Sequence, residues 1–448
     1  MLAQRAYLFV VLEGGRPLAG GARYALDGVT EVQVVRGDRR AARVEPHANG
    51  AQLTLELPSP VLSRVHARLR LSSAGWAVED AGSRNGTYVN GQRVGQADLH
   101  PGDLVEVGHT FLTIGRFEER ADEPPRDLDA ADLAGEPAGF RTLSPAVAAR
   151  LDELRRAARS EVNVLLVGES GTGKEVLARG IHQLSGRPGP LVAVNCNTLK
   201  EGITESQLFG HVRGAFSGAV ADAVGFVRAA DRGTLLLDEV ADLGPTAQGA
   251  LLRVLQEREV VPVGRAVPHK VDVRFVATSP RPLDPASEGD HFRSDLFARL
   301  TGFVHPMTPL RDRREDFGLL AAALLAKAGV TDGQTPRIAP DLAYRLLTHG
   351  WPLNVRELEQ LLTRTWLLAE GGIMSGDPRF VGGGGPPAAP PPARDLDPEE
   401  QALRQSLIDA LEAAGGNVTE AARALGRGRV QLHRQMRRLG IDGRRFRS

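Results

Sequence analysis

This 448-residue sequence predicts a multidomain chain: an all-β sandwich, then an α/β domain with a helical extension, then a small all-α segment. Three observations predict that order. Residues 1–116 hold short alternating apolar runs separated by Asn49-Gly50, Asn85-Gly86 and Asn90-Gly91, pairs that tolerate φ > 0. Residues 140–375 alternate apolar β runs with helical patterns. From residue 398 onward the spacing is helical throughout. Two segments separate these blocks. Residues 117–139 are rich in Asp, Glu, Pro and Ala, and 376–397 contain GGGGPPAAPPPA. Both compositions predict spacers that bury little surface.

Taken in order, residues 7–12, 31–36, 52–57, 65–71, 104–107 and 111–114 are the strands of the sandwich. In the central block, 162–167, 191–194, 234–237 and 271–277 read as strands of a mainly parallel sheet, with 176–184 a helix. Residues 310–372 are mostly helical. In the last block, Leu403, Leu407, Ile408 and Leu411 share one helix face, and 429–439 form a further helix.

Composition narrows the functional classes. Apolar residues are 42% and charged residues 25%, which excludes collagen, a disordered chain and a membrane bundle. The longest apolar-rich runs, such as 319–326, fall far short of the ~20 residues of a spanning helix. Arg5 and the short apolar run after it lack a cleavage site and read as a strand rather than a signal peptide. Cys196 is the single cysteine, so an intrachain disulfide and a cysteine metal cage are excluded and a reducing cytoplasm is expected. Net charge is zero, yet residues 426–448 carry net +7. Basic residues are almost all arginine. The lysines are Lys174, Lys200, Lys270 and Lys327.

One of those lysines closes a glycine loop. Gly168-Glu169-Ser170-Gly171-Thr172-Gly173-Lys174 fits G-x-x-x-x-G-K between an apolar strand and a helix. Glycines let backbone N–H groups surround phosphate oxygens, and the helix N-terminus adds partial positive charge. Lys174 brings a point charge to the β- and γ-phosphates. Glu175 stands where Ser or Thr usually binds Mg²⁺, so the cation leans on another carboxylate. The strand ending in Asp238-Glu239 supplies it: Asp238 for Mg²⁺ and Glu239 to polarise water. ATP and Mg²⁺ are the expected cofactors.

With GESGTGKEVLARGIHQLSGR, NCNTL, ESQLFGHVRGAFSGA, GTLLLDE, FRSDLFARL, PLRDRREDF and WPLNVREL, residues 141–375 resemble the AAA+ domain of bacterial enhancer-binding proteins that activate sigma-54 RNA polymerase. The resemblance implies an α/β P-loop ATPase with a helical lid, working as a hexamer. At matching positions it makes Asn195 the residue that holds Glu239 and senses the γ-phosphate. It makes Arg293 and Arg299 the arginine fingers, acting on the neighbouring subunit's ATP, and Arg356 the sensor II arginine. It makes Gly214-Ala215-Phe216-Ser217-Gly218-Ala219 the sigma-54 contact loop. Ser217 replaces Thr, Val212 an acidic residue, Ser279 an Asn, and Leu353 a Gly of the family pattern.

The ends resemble two further families. SRVH at 63–66 and SRNGTYVNG at 83–91 are similar to forkhead-associated (FHA) domains, which bind phosphothreonine peptides. A phosphate carrying about −1.5 to −2 charge needs arginines and hydroxyl donors on rigid loops. The resemblance assigns Arg36, Ser63 and Arg64 to the phosphate, Asn85 to the peptide backbone, and a structural role to His66. The C-terminal block, 398–448, resembles a Fis-type helix-turn-helix, with Arg429, Gln431 and Arg434 facing bases or phosphates of upstream enhancer DNA. The implied protein is a cytoplasmic transcription activator whose partners are the sigma-54 holoenzyme, enhancer DNA, a phosphothreonine protein and copies of itself, with no membrane. The competing reading is an FHA phosphoprotein adaptor with a weakened ATPase. An adaptor has no use for GAFSGA.

Overall fold

The computed structural model describes residues 2–376, except 48, 121, 123, 125, 200, 201 and 284–291, and a few positions between 405 and 424. The chain divides into two units, Met1–Pro378 and Arg379–Ser448. The linker at 376–397, nearly all of the 398–448 block, and the DNA positions Arg429, Gln431 and Arg434 lie outside the described residues, Gly376 excepted. In the second unit residues 405–408 are helical, and Leu407 of the expected apolar face is buried.

The first unit opens with β1 (Leu2–Glu13), β2 (Ala22–Ala25), β3 (Val29–Arg36), β4 (Ala41–His47), β5 (Gly50–Leu57), β6 (Val65–Ser72) and β7 (Gly75–Asp80). It continues through β8 (Thr87–Val89), β9 (Gln92–Val94), β10 (Gln96–Asp98), β11 (Val105–Val107), β12 (Thr110–Arg120) and β13 (Leu128–Asp129). They form two sheets, ordered β13-β2-β1-β12-β11-β8-β9 and β10-β7-β6-β3-β5-β4. The inward side chains of both, such as Leu8, Val10, Val34, Leu53, Leu69, Val78 and Leu112, make one core. The expected sandwich is therefore present.

β1 departs from simple alternation. Tyr7 through Leu12 are all buried. One face meets the sandwich core, and the other lies under a helix of the lid, Phe317–Lys327. An unbroken apolar run is what a strand covered on both faces requires.

The α/β domain runs through α1 (Pro145–Ala158), β14 (Val164–Val167), α2 (Lys174–Ser185), β15 (Leu191–Asn195), α3 (Thr204–Phe209), α4 (Phe226–Ala229) and β16 (Thr234–Asp238). Then come α5 (Pro245–Glu257), the short pair β17 (Glu259–Val260) and β18 (His269–Lys270), β19 (Arg274–Ser279), α6 (Ser294–Leu300) and β20 (Phe303–Pro306). The parallel sheet is ordered β15-β16-β19-β14-β20, with an apolar cluster on each face. The lid follows: α7 (Phe317–Lys327), β21 (Arg337–Ile338), α8 (Pro340–Thr348), α9 (Asn354–Leu367) and β22 (Ile373–Met374).

Residues 117–139 correct the expectation of a spacer. β12 extends to Arg120, and β13 adds a strand beside β2. Leu133 is buried with Leu143 and Leu319, one residue each from this segment, the start of the α/β domain and the lid. The acids that made the segment look solvated have structural partners. Asp129 caps a turn with Asp132 and accepts two 2.8 Å hydrogen bonds from Arg40. Composition shows the charge but not its partner.

Arg40 also donates to buried Glu13 at 2.6 Å and to the carbonyls of Ala19, Gly20 and Gly21. Burial pushes the Glu13 carboxyl up, against the opposing pull of Arg40 and Arg16. Removing one member of such a pair leaves the other buried and uncompensated. Arg40→Ala is expected to lower stability by about 3 kcal/mol or more, read from the denaturant midpoint, and the double change Glu13→Gln with Arg40→Met to restore part of it.

Candidate functional site

The glycine loop leaves β14 at Val167 and enters α2 at Lys174. Gly171 and Gly173 have φ of +78° and +98°, which a side chain would strain. Lys174 Nζ donates to the loop carbonyls of Gly168 at 2.6 Å and Glu169 at 3.1 Å, and Thr172 Oγ1 donates to Glu169 O at 2.8 Å. Burial lowers the Lys174 pKa, while Asp238 and Glu239 oppose that shift. The ammonium thus rests on oxygen acceptors inside a loop whose N–H groups open a 12-residue helix. That donor set fits the oxygens of a polyphosphate. Glu175 is paired with Arg179 on an exposed face of α2 at 2.6 Å.

Across the sheet, β15 and β16 place Asn195 beside Asp238 in register. Thr278 at the end of β19 donates to Asp238 Oδ1 at 2.6 Å and accepts from Glu239 N at 3.0 Å. Ser279 bonds instead to the backbone of Arg281. One expectation is corrected here. Asn195 Nδ2 reaches Asp238 Oδ2 at 3.4 Å, whereas Asn197 Nδ2 donates to Glu239 Oε2. The Asn195 side-chain oxygen also caps the turn at 196–198, accepting from Asn197 N at 2.9 Å, and this draws Asn197 toward the carboxylate. Among the described residues no cluster of three or more His, Cys, Asp or Glu forms a metal cage. Asp238 beside a phosphate loop still suits Mg²⁺, which is commonly held by one or two carboxylates and substrate phosphates.

The lid is pressed onto this loop. A Cβ at Gly171 would stand 2.1 Å from Leu353 O. Val355 N donates to Gly171 O at 3.0 Å. Asn354 is fully buried with φ +53°. Its amide nitrogen donates to Glu169 Oε2 and Ser170 O, both at 3.1 Å, and its oxygen accepts from Leu310 N at 2.9 Å. Arg356 Nη1 reaches Ser170 Oγ at 3.2 Å. Arg311 holds Glu169 with two bonds of 2.8 and 2.6 Å; its hydrogen bonds, with that of Asn354, bring the carboxyl down to about 2. Half-buried Arg313 donates to Thr172 O at 3.1 Å. Leu353 itself has φ −106°, so replacing a glycine there costs no left-handed strain, which falls on Trp351 and Asn354. Asn197, Arg311, Arg313 and Asn354 were not singled out from the sequence. The polar letters inside WPLNVREL and PLRDRREDF were the available signal.

Arg293 stands at the N-cap position of α6, its backbone N–H donates to Gln248 Oε1 at 2.9 Å, and its guanidinium pairs with Asp295 at 2.8 Å on the surface. Arg299 is exposed in the last turn of α6, where its carbonyl accepts from Asn163 at 2.9 Å.

The Gly214–Ala219 loop closes on itself. Gly214 N donates to Ala219 O at 2.9 Å and Ala219 N to Phe216 O at 3.0 Å, with φ of +83° at Gly214 and +112° at Gly218. Ala219 is buried, Ala215 half-buried and Ser217 exposed. Phe216 is 38% exposed, its ring 5.0 Å from His211.

At the sandwich edge, Arg36 ends β3 with an exposed side chain, and its N–H donates to Arg64 O at 3.4 Å. Ser63 Oγ accepts from Arg84 N at 3.0 Å, and Asn85 Nδ2 donates to Val61 O at 2.6 Å. Arg64 is exposed. His66 is buried between Ser63 N and Gly86 O, and burial pushes its pKa down. Asp80, missed from sequence, orders the 83–87 loop by accepting from Ser83 and Thr87.

A strand, glycine loop and helix with paired carboxylates across a parallel sheet, closed by a helical lid, define an AAA+ ATPase. Residues 141–305 match the family model described as the Sigma-54 interaction domain, and 311–377 the AAA+ ATPase lid domain. Residues 48–108 match the FHA domain, and 404–439 the Fis family of bacterial regulatory proteins. The chain is similar to the Nif-specific regulatory protein of Azotobacter vinelandii, 41% identical over 353 residues, 77% of this chain and 67% of that protein. It is also similar to the transcriptional regulatory protein ZraR of Klebsiella oxytoca, 42% identical over 350 residues, 76% of this chain and 77% of that protein. The chain belongs to the family of sigma-54-dependent transcriptional activators.

The docked lid yields an expectation. Asn354→Ala removes three bonds from a buried side chain and leaves Ala at a left-handed position. ATP affinity of the full chain, titrated with a fluorescent nucleotide, should fall about tenfold or more, against less than about threefold for Arg311→Ala at its exposed pair.

Proposed function

We propose that this activator works in the cytoplasm as an ATP-driven hexamer that remodels the sigma-54 polymerase closed complex, under control of phosphothreonine recognition by its FHA domain. The observation that carries the reading is the closed Gly214–Ala219 loop, which presents Phe216 to solvent from the same subdomain that holds the phosphate loop. A half-exposed phenylalanine in a loop without an acid or base suits contact with a partner.

In this reading Gly168 to Lys174 hold the triphosphate, with Arg356 at its far side. Asp238 would hold Mg²⁺, which would supply positive charge beside the phosphates. Glu239 accepts a proton from the attacking water, and Asn197 and Asn195 orient the two carboxylates. Arg293 and Arg299 act across a subunit boundary, where Arg293 exchanges Asp295 for the neighbour's γ-phosphate. Arg36, Ser63, Arg64 and Asn85 take a phosphothreonine peptide. Arg429, Gln431 and Arg434 contact enhancer DNA.

The test compares ATP hydrolysis with open-complex yield at a sigma-54 promoter in the same preparations. Glu239→Gln should bind ATP but lose turnover and activation together. Phe216→Ala should keep turnover and DNA binding and lose open complexes. Full activation by Phe216→Ala would remove the loop from this role.

Action across a boundary predicts that hydrolysis per subunit rises with protein concentration. Mixing Arg293→Ala chains with Lys174→Ala chains should restore part of the activity that each lacks, because mixed rings contain some intact interfaces. Turnover independent of concentration, with no rescue, would mean a self-contained site.

A further inference from the structure

Where the sandwich meets the lid lies a cavity of about 630 Å³ that shares no residue with the phosphate loop. Its walls are the turn after β1, the residues ahead of β4, the turn at Asp129–Ala131, the approach to α1 and one side of α7. The volume falls within the roughly 300–1,000 Å³ of small-molecule sites, which gather where domains meet.

The apolar wall comes from α7. Its sequence, FGLLAAALLAK, is apolar on every side up to Lys327. A helix of that kind is normally enclosed all round. Here Phe317, Gly318, Leu319, Ala321 and Leu325 are buried, yet Leu320 and Ala322 are half-buried and Ala323 is exposed. Those last three line the cavity, and Leu18 extends the same wall.

The rest of the lining is cationic. Four arginines, Arg16, Arg39, Arg40 and Arg141, stand around one carboxylate, Asp129. That carboxylate is already taken, because Arg40 donates to both of its oxygens. Arg16 lies 3.6 Å from Glu13, which Arg40 also holds. Arg141 donates to the carbonyls of Glu136 and Ala134 at 2.8 and 2.9 Å, which leaves its charge without a carboxylate among the described residues. Arg39 is exposed, and among the described residues its side chain has no partner. Two guanidinium charges thus remain uncompensated beside an aliphatic surface. No aromatic, hydroxyl or amide side chain is among the lining residues, so no side chain there can stack on a ring or read a base edge.

We propose that this cavity binds an aliphatic carboxylate, its head on Arg39 and Arg141 and its chain along the open side of α7. A carboxylate matches the planar fork of a guanidinium. Each methylene moved from water onto the apolar wall tightens binding by about fourfold. The ligand differs in chemistry and in place from both the nucleotide and the phosphopeptide, so the site stands apart from the function proposed above.

The test is calorimetric titration of the full chain, without nucleotide, with octanoate, 1-octanol and butyrate, each below its aggregation threshold. Octanoate should bind saturably, one per chain. Butyrate, four methylenes shorter, and octanol, which lacks the charge, should each bind at least about tenfold more weakly. Arg39→Ala removes a side chain with no structural partner and should weaken octanoate about fivefold or more. Ala323→Trp fills the open side of α7 and should abolish binding. Absence of saturable octanoate binding would overturn the proposal. So would octanol binding as tightly as octanoate, since no anion would then be recognised. Unchanged octanoate affinity in either variant would place the ligand on another apolar surface and overturn it equally.

Discussion

The carbonyl oxygen of Leu353 occupies the space where a side chain at position 171 would begin. Much of the site depends on that approach. It brings the first turn of α9 against the phosphate loop, so Val355 bonds to Gly171 and Asn354 becomes a buried cross-link. Asn354 then meets Leu310, which places Arg311 and Arg313 on Glu169 and Thr172. Any side chain at 171 would separate lid and loop. The glycine is needed for its missing Cβ as much as for its backbone angle.

Arginine does in this chain what its scarce lysines could not. Arg274 donates to the carbonyls of Ala157, Ala158 and Val162, tying α1 to the buried end of β19. Arg187 reaches the carbonyls of Gly233 and Asp272. Arg23 and Arg313 do the same between domains, and Arg40 within the sandwich. A planar fork of five donors can satisfy several carbonyls at once, whereas an ammonium group is a point charge on a flexible stem. Four lysines among 55 basic residues is therefore partly a structural statement.

Much of this architecture was legible in the sequence, because the signals were local. The apolar run into Gly168 and the helix after Lys174 stand within one window, as do the turn pairs of the sandwich. What stayed hidden was long-range. The run Tyr7–Leu12 reads as a strand, but nothing local says that a lid helix covers its second face. Asn195 and Asn197 are two residues apart and chemically alike, and their division of labour follows from a turn. Residues 117–139 are polar on average, yet Leu128, Leu133 and Asp129 each meet a partner distant in sequence.

The short strand β13 has a further consequence. By pairing with β2 it covers one edge of the seven-stranded sheet. A chain cut at residue 116 would lose that cover and the last turns of β12 together. The bare N–H and C=O groups of β2 would then be open to pairing with another molecule, the usual route from a trimmed β-sandwich to aggregation. The natural boundary of this module lies after residue 129, inside what composition alone marks as tether.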